Sequence, residues 1–191
     1  MNLRKLSAVL LAVFLTLPAL AAERSIDPAA STLTVKVWKT GLFSAFAHDH
    51  EISAPITAGT VRDGDNASVK FSVHARGMKV LDPDASASTR AEVEHNMFSA
   101  EVLDVQQYAE ISFESSSIQS AGNGAYTVSG NLTLHGQTHP ILVNVKPAGA
   151  GKYEGNAKLK QTTFGIRPIT IGGGSIKVKD EIGITFTIVL R

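Results

Sequence analysis

The residues with the greatest chemical capacity in this 191-residue chain sit together at His48-Asp49-His50. Two imidazoles two positions apart share a face if the segment is extended, with Asp49 turned away from them. Such a pair can ligate zinc, copper or nickel. A zinc site needs three or four protein ligands, so His74, His95, His135 or His139 would have to complete it. The plainer reading of the same three residues is a polar loop or the mouth of a pocket.

Other catalytic constellations fail on residue type or on spacing. The chain has no cysteine, which removes structural disulfides, thiolate metal sites, cysteine nucleophiles and a lipidated N-terminal cysteine. Serine, histidine and aspartate are present, but no G-x-S-x-G elbow occurs. Gly172-Gly173-Gly174 opens no helix and is not a phosphate-binding loop. Glu92 and Glu94 would stand about 200° apart on a helix, a poor acid–base pair. His135 and His139 flank a strand connection and read as a solvated turn. Neither an enzyme activity nor a cofactor is expected.

The elements that must position these residues are strands. In Tyr126–Val145, Tyr126, Val128, Leu132 and Leu134 share one face and Thr127, Ser129, Asn131 and Thr133 the other. This period of two marks half-buried strands. The connection His135–Pro140 makes the stretch a β-hairpin, with Gly136 free to take positive φ and Pro140 suited to a strand start. Similar alternation marks 31–39, 68–76, 110–118, 152–161 and 182–190. A second extended segment, 52–61, is interrupted at Pro55, and 175–179 with 182–190 reads as a second hairpin around Asp180-Glu181. Ser88–Met97 reads as the one helix, with Ser88 as its N-cap.

About eight strands, each with one apolar face, must bury those faces together, in a sandwich or a closed antiparallel barrel. A barrel of this size is filled by side chains or holds one small ligand. Gly130, Gly155 and Ala157 are small at inward positions, which favours a cavity. Phe43, Phe46, Phe71, Phe98, Phe113, Phe164 and Phe186, with Leu132 and Leu134, are its candidate lining. An ordinary packed core would use the same residues.

The N-terminal segment carries Arg4 and Lys5, an apolar run to Leu20 and the A-x-A triplet Ala19-Leu20-Ala21. It reads as a secretory signal peptide over residues 1–21, leaving 22–191 as a single exported domain. Losing two of eighteen basic residues and no acid leaves sixteen against seventeen acidic residues. That balance gives no draw toward nucleic acid, and no later run is long enough to span a bilayer.

Three further stretches carry a resemblance. Gly130–Pro140, Asp104-Val105-Gln106-Gln107-Tyr108 leading to Ile111-Ser112-Phe113, and Phe164-Gly165-Ile166 before a Gly-rich turn resemble, in this order, the signature of the YceI-like family. Ile26-Asp27-Pro28 is similar to its opening. Gln161 stands where many members have arginine. The resemblance implies an all-β, lipocalin-like antiparallel barrel with one short helical insertion. It also implies a periplasmic carrier of an isoprenoid or other long apolar, fatty-acid-like lipid. A metal-binding protein built on His48 and His50 is the alternative, an interaction module without a small ligand is a third reading, and a homodimer is compatible with either.

Overall fold

The computed structural model describes residues 22–41, 49–171 and 176–191. Residues 1–21, Phe43, Phe46, His48 and the triple glycine lie outside that set. The strands are β1 (Glu23–Ser25), β2 (Thr32–Thr40), β3 (His50–Ser53), β4 (Ile56–Arg62), β5 (Ser68–His74), β6 (Lys79–Val80), β7 (Glu110–Gly122), β8 (Ala125–Leu134), β9 (Gln137–Gly149), β10 (Lys152–Lys160), β11 (Thr170–Ile171) and β12 (Ile176–Val189), with one helix, α1 (Ala87–Phe98). Eleven strands form one antiparallel path in the order β1-β4-β5-β7-β8-β9-β10-β12-β2-β3-β6, and β11 pairs off it with β12. The expected count of about eight is therefore too low. Strands of two or three residues are too short to alternate visibly, and Pro55 splits one apolar run into two strands.

That split bends the sheet. The run from His50 to Arg62 pairs with β2 in its first part and, beyond Ala54-Pro55, with β5 in its second. One continuous segment thus belongs to both flanks. Elsewhere β1 lies on β4, and the next residue, Ile26, bridges Leu190 just past β12. The Ile26 N–H donates to Gly59 O at 2.9 Å, and the Asp27 N–H to Val189 O at 2.7 Å. The sheet curls back on itself as a lipocalin-like barrel, with inward faces supplied by the alternating apolar residues.

The barrel has two unlike ends. The turns β4–β5, β7–β8 and β9–β10 share one end. At the other, α1 and the loop after it insert Met97, Leu103 and Val105 into the core. The helix begins one residue before its expected start, capped by Ser86, whose hydroxyl accepts from the Thr89 N–H at 3.1 Å. Serines at 86 and 88 both offer a cap, and Ser86 is the one with extended backbone.

The hairpin turn is tighter than the sequence suggested. His135 and Gly136 alone make it, with φ of 51° and 70°, and Leu134 pairs directly with Gln137. Two successive positive φ values match the right-handed twist of the flanking strands. Pro140 is not at the strand start; it pairs with Asn131 where β9 has no β10 partner, so its missing N–H costs no ladder bond. The second hairpin is absent: residues 176–189 are one strand with a register shift between Val178 and Ile182. Asp180 accepts from the Thr162 N–H and hydroxyl at 2.8 and 2.7 Å, and Lys158 pairs with Glu181 at 2.9 Å. These contacts hold the acidic pair in a bulge and not in a turn.

Candidate binding cavity

The inward faces leave space between them. An apolar cavity of about 560 Å³ occupies the barrel, lined by side chains from nearly every strand. This lies within the size range of small-ligand sites, roughly 300–1,000 Å³. Of the expected lining residues, Phe71, Phe113, Leu132, Leu134 and Phe186 are in the wall. Phe164 is not: it is 0% exposed and packs beneath the cavity. Sequence reasoning favoured aromatics and passed over the aliphatic majority. Val35, Val37, Ile111, Ile141, Val145 and Ile184 all line the space and are only half-buried, because their exposed faces are turned to the cavity. Their alternation within the strands was the available signal.

The small inward residues act differently from expectation. The Phe113 ring lies where a Cβ on Gly130 would sit, and the Phe186 ring does the same over Gly155. Glycine here makes room for an aromatic ring from the neighbouring strand, and the ring, not empty space, takes the volume. Ala157 does line the cavity.

At the helix end the cavity has a floor. Gln161 lines it, 8% exposed, and its Nε2 donates to Lys179 O at 2.8 Å. Below it, Phe164 meets His139 edge-on, with ring centroids 5.3 Å apart. His135 Nδ1 lies 3.1 Å from Phe164 O; a carbonyl only accepts, so Nδ1 carries the proton. Tyr108 packs edge-on against His135 at 4.9 Å and lies against Gly136 where a Cβ would be. Gly165 takes φ of 73°, ends the 3-10 turn Gln161–Phe164 and leaves room for the Gln137 amide. His135 and His139 are half-buried and pack against the floor, at either side of a turn whose Gly136, Gln137 and Thr138 are exposed. The three stretches with the most recognisable motifs meet here, around Phe164.

The mouth is at the turn end, where Arg62, Asp63, Gly64, Tyr126 and Tyr153 reach the cavity. Arg24 Nη2 donates to Asp63 Oδ2 at 2.7 Å, and Arg62 Nη2 to Glu23 Oε2 at 2.8 Å. Asp63 as hydrogen-bond partner holds the Arg24 guanidinium above its usual range, with Tyr153 adding to it and desolvation opposing. Arg62 holds the Glu23 carboxyl below its usual range, helped by Thr60.

Of the candidate metal pair only His50 is among the described residues. His50 Nδ1 lies 2.6 Å from Asp82 Oδ2, and Asp82 Oδ1 accepts the Glu51 N–H at 2.8 Å. This fastens β3 to the segment before α1. Asp49 accepts the Lys39 N–H at 3.0 Å. No group of three His, Asp or Glu side chains among the described residues is placed to hold a metal ion.

A YceI-like domain model matches residues 25–190. The chain belongs to the YceI-like family. Among curated relatives, a UPF0312 protein of Vibrio cholerae is 33% identical over 113 residues, covering 54% of this chain and 58% of that one. A UPF0312 protein of Azotobacter vinelandii is 34% identical over 122 residues, covering 57% and 63%. The matched stretch therefore spans under two-thirds of these relatives' length. Among solved structures, BcnA of Burkholderia cenocepacia superposes with a TM-score of 0.69 at 19% identity, over 87% of this chain and 99% of that one. A polyisoprenoid binding domain from Saccharophagus degradans gives 0.59 at 13% identity, over 90% and 98%. At such identities the YceI-like likeness to both is one of fold. No described helix is long and apolar enough to cross a membrane.

Proposed function

We propose that the protein is a non-catalytic carrier that holds one long apolar lipid, of isoprenoid type, inside the barrel. The observation that carries this reading is the 560 Å³ cavity whose wall is aliphatic and aromatic and whose polar groups lie at its two ends. An apolar chain in that space gains about 25 cal/mol per Å² of buried apolar surface, before the costs of association. Aliphatic walls discriminate little by chemistry, so length and width select the ligand. Family membership and the fold shared with a polyisoprenoid binding domain support the choice of isoprenoid. The leader-like residues 1–21 support export to the periplasm, where a lipid in transit between membranes needs shielding from water.

Native mass spectrometry of protein purified from the periplasm of its own host tests this. The expected spectrum shows an adduct of lipid mass that organic extraction removes and identifies. Repeated recovery of bare protein, with no extractable lipid and no binding of an added isoprenoid such as all-trans-retinol, overturns it.

A further inference from the structure

We infer that Arg24 and Asp63 form a latch over the cavity mouth and set the rate at which lipid enters and leaves. The inference rests on the carrier reading and concerns its control. β1 is a stave of the barrel wall: Arg24 pairs with Val61 in register, and Val61 lines the cavity. Strand neighbours in register point to the same side of a sheet, so Arg24 is turned toward the mouth, while Glu23 and Ser25 face outward. The next residue, Ile26, is buried at 3% exposure and anchors the strand from below.

From that position the guanidinium reaches two turns. It donates to Asp63 in the β4–β5 turn. It also approaches Gly151 in the β9–β10 turn, 3.2 Å from the point a Cβ would occupy there. Tyr153, which follows that turn, lines the mouth. One side chain therefore spans the tips of β4–β5 and β9–β10. Asp63 and Gly64 themselves border the cavity, so the turn that Arg24 ties down is part of the opening. Glu23 and Arg62, the latter also at the mouth, make a second pair between the same two strands.

The strength of the tie suits a latch. The side chains of Arg24 and Asp63 are 34% and 52% exposed, and exposed ion pairs contribute little to stability and are screened by salt. Undoing the pair leaves the folded barrel intact while freeing the turn. In the floor, by contrast, Gln161 is buried and bonded to a backbone carbonyl.

The test is stopped-flow release of all-trans-retinol from the full mature chain into phosphatidylcholine vesicles, read by retinol fluorescence. Arg24→Ala and Asp63→Asn are expected each to speed release roughly two- to five-fold, the rate equivalent of an exposed pair. The double exchange Arg24→Asp with Asp63→Arg is expected to restore the parent rate. Raising salt should speed release from the parent and leave Arg24→Ala unchanged. Lys36→Ala, which removes an exposed pair with Glu51 away from the mouth, serves as the control and should release at the parent rate. Retinol that binds but leaves parent and latch variants at one rate overturns the latch and leaves the carrier reading standing. Parent protein that yields no extractable lipid and binds no retinol overturns both.

Discussion

The two ends of the barrel solve the same problem with opposite means. At the helix end, Phe164 is fully buried and two groups beside it bond to backbone: His135 to the Phe164 carbonyl, Gln161 to the Lys179 carbonyl. At the turn end, charged side chains bond to one another in partial contact with water. A buried polar group that loses its partner carries the full desolvation cost, whereas an exposed one is rehydrated. The floor is therefore expensive to open and the mouth cheap. The proposed carrier, with one permanent and one reversible closure, needs this asymmetry.

The comparison is broken most severely from the floor. Phe164→Ala empties a site with no solvent contact, and such truncations cost about 3–5 kcal/mol. Urea denaturation should show this loss at unchanged slope, while Arg24→Ala at the mouth should cost about 0–1 kcal/mol. Equal losses at the two ends would mean that the closures are alike. Gly155→Val comes next. A Cβ there collides with the Phe186 ring and with Asn144 O, which is backbone and cannot step aside. Overpacking of this kind costs about 1–3 kcal/mol, seen in the same denaturation curves.

The strands were legible because their alternation spans five to ten residues, and the floor motifs because they are contiguous in the chain. What those motifs do was not legible. His135 and His139 read as turn residues because nothing local shows that Phe164, more than twenty positions away, fills the space between them. The glycines misled for the same reason: Gly130 and Gly155 are small, but Phe113 and Phe186 on adjacent strands decide what the smallness is for. Asp180-Glu181 looked like a turn, and only its partners Thr162 and Lys158 make it a bulge. The mouth left no trace in sequence, since Arg24 and Asp63 are 39 residues apart and carry no motif.

The cavity wall gives a third comparison, between space and packed core. Val145 lines the cavity and is half-buried. Val145→Trp should project its ring into the empty volume, abolish retinol binding measured by fluorescence titration, and change stability by less than about 1 kcal/mol. A side-chain-filled interior would instead charge the overpacking cost of about 1–3 kcal/mol.

The smallest expected effect separates the two ends by pH. Glu23 and Asp27 lie at the turn end, and both carboxyls are held below their ordinary values of 4.5 and 3.8, chiefly by hydrogen bonds from Arg62 and Arg191. A carboxyl whose folded value is depressed adds stability above its unfolded value, and that contribution is lost as pH falls through the folded one. The charged groups facing them are Arg62 and Lys70 for Glu23 and Arg191 for Asp27. Retinol release should therefore be flat from about pH 8 to 5 and rise below about pH 4, with Glu23→Gln reducing the rise. A rise already between about pH 7 and 6 would instead place the control away from Glu23 and Asp27. The mouth would then be held by something other than its carboxylates.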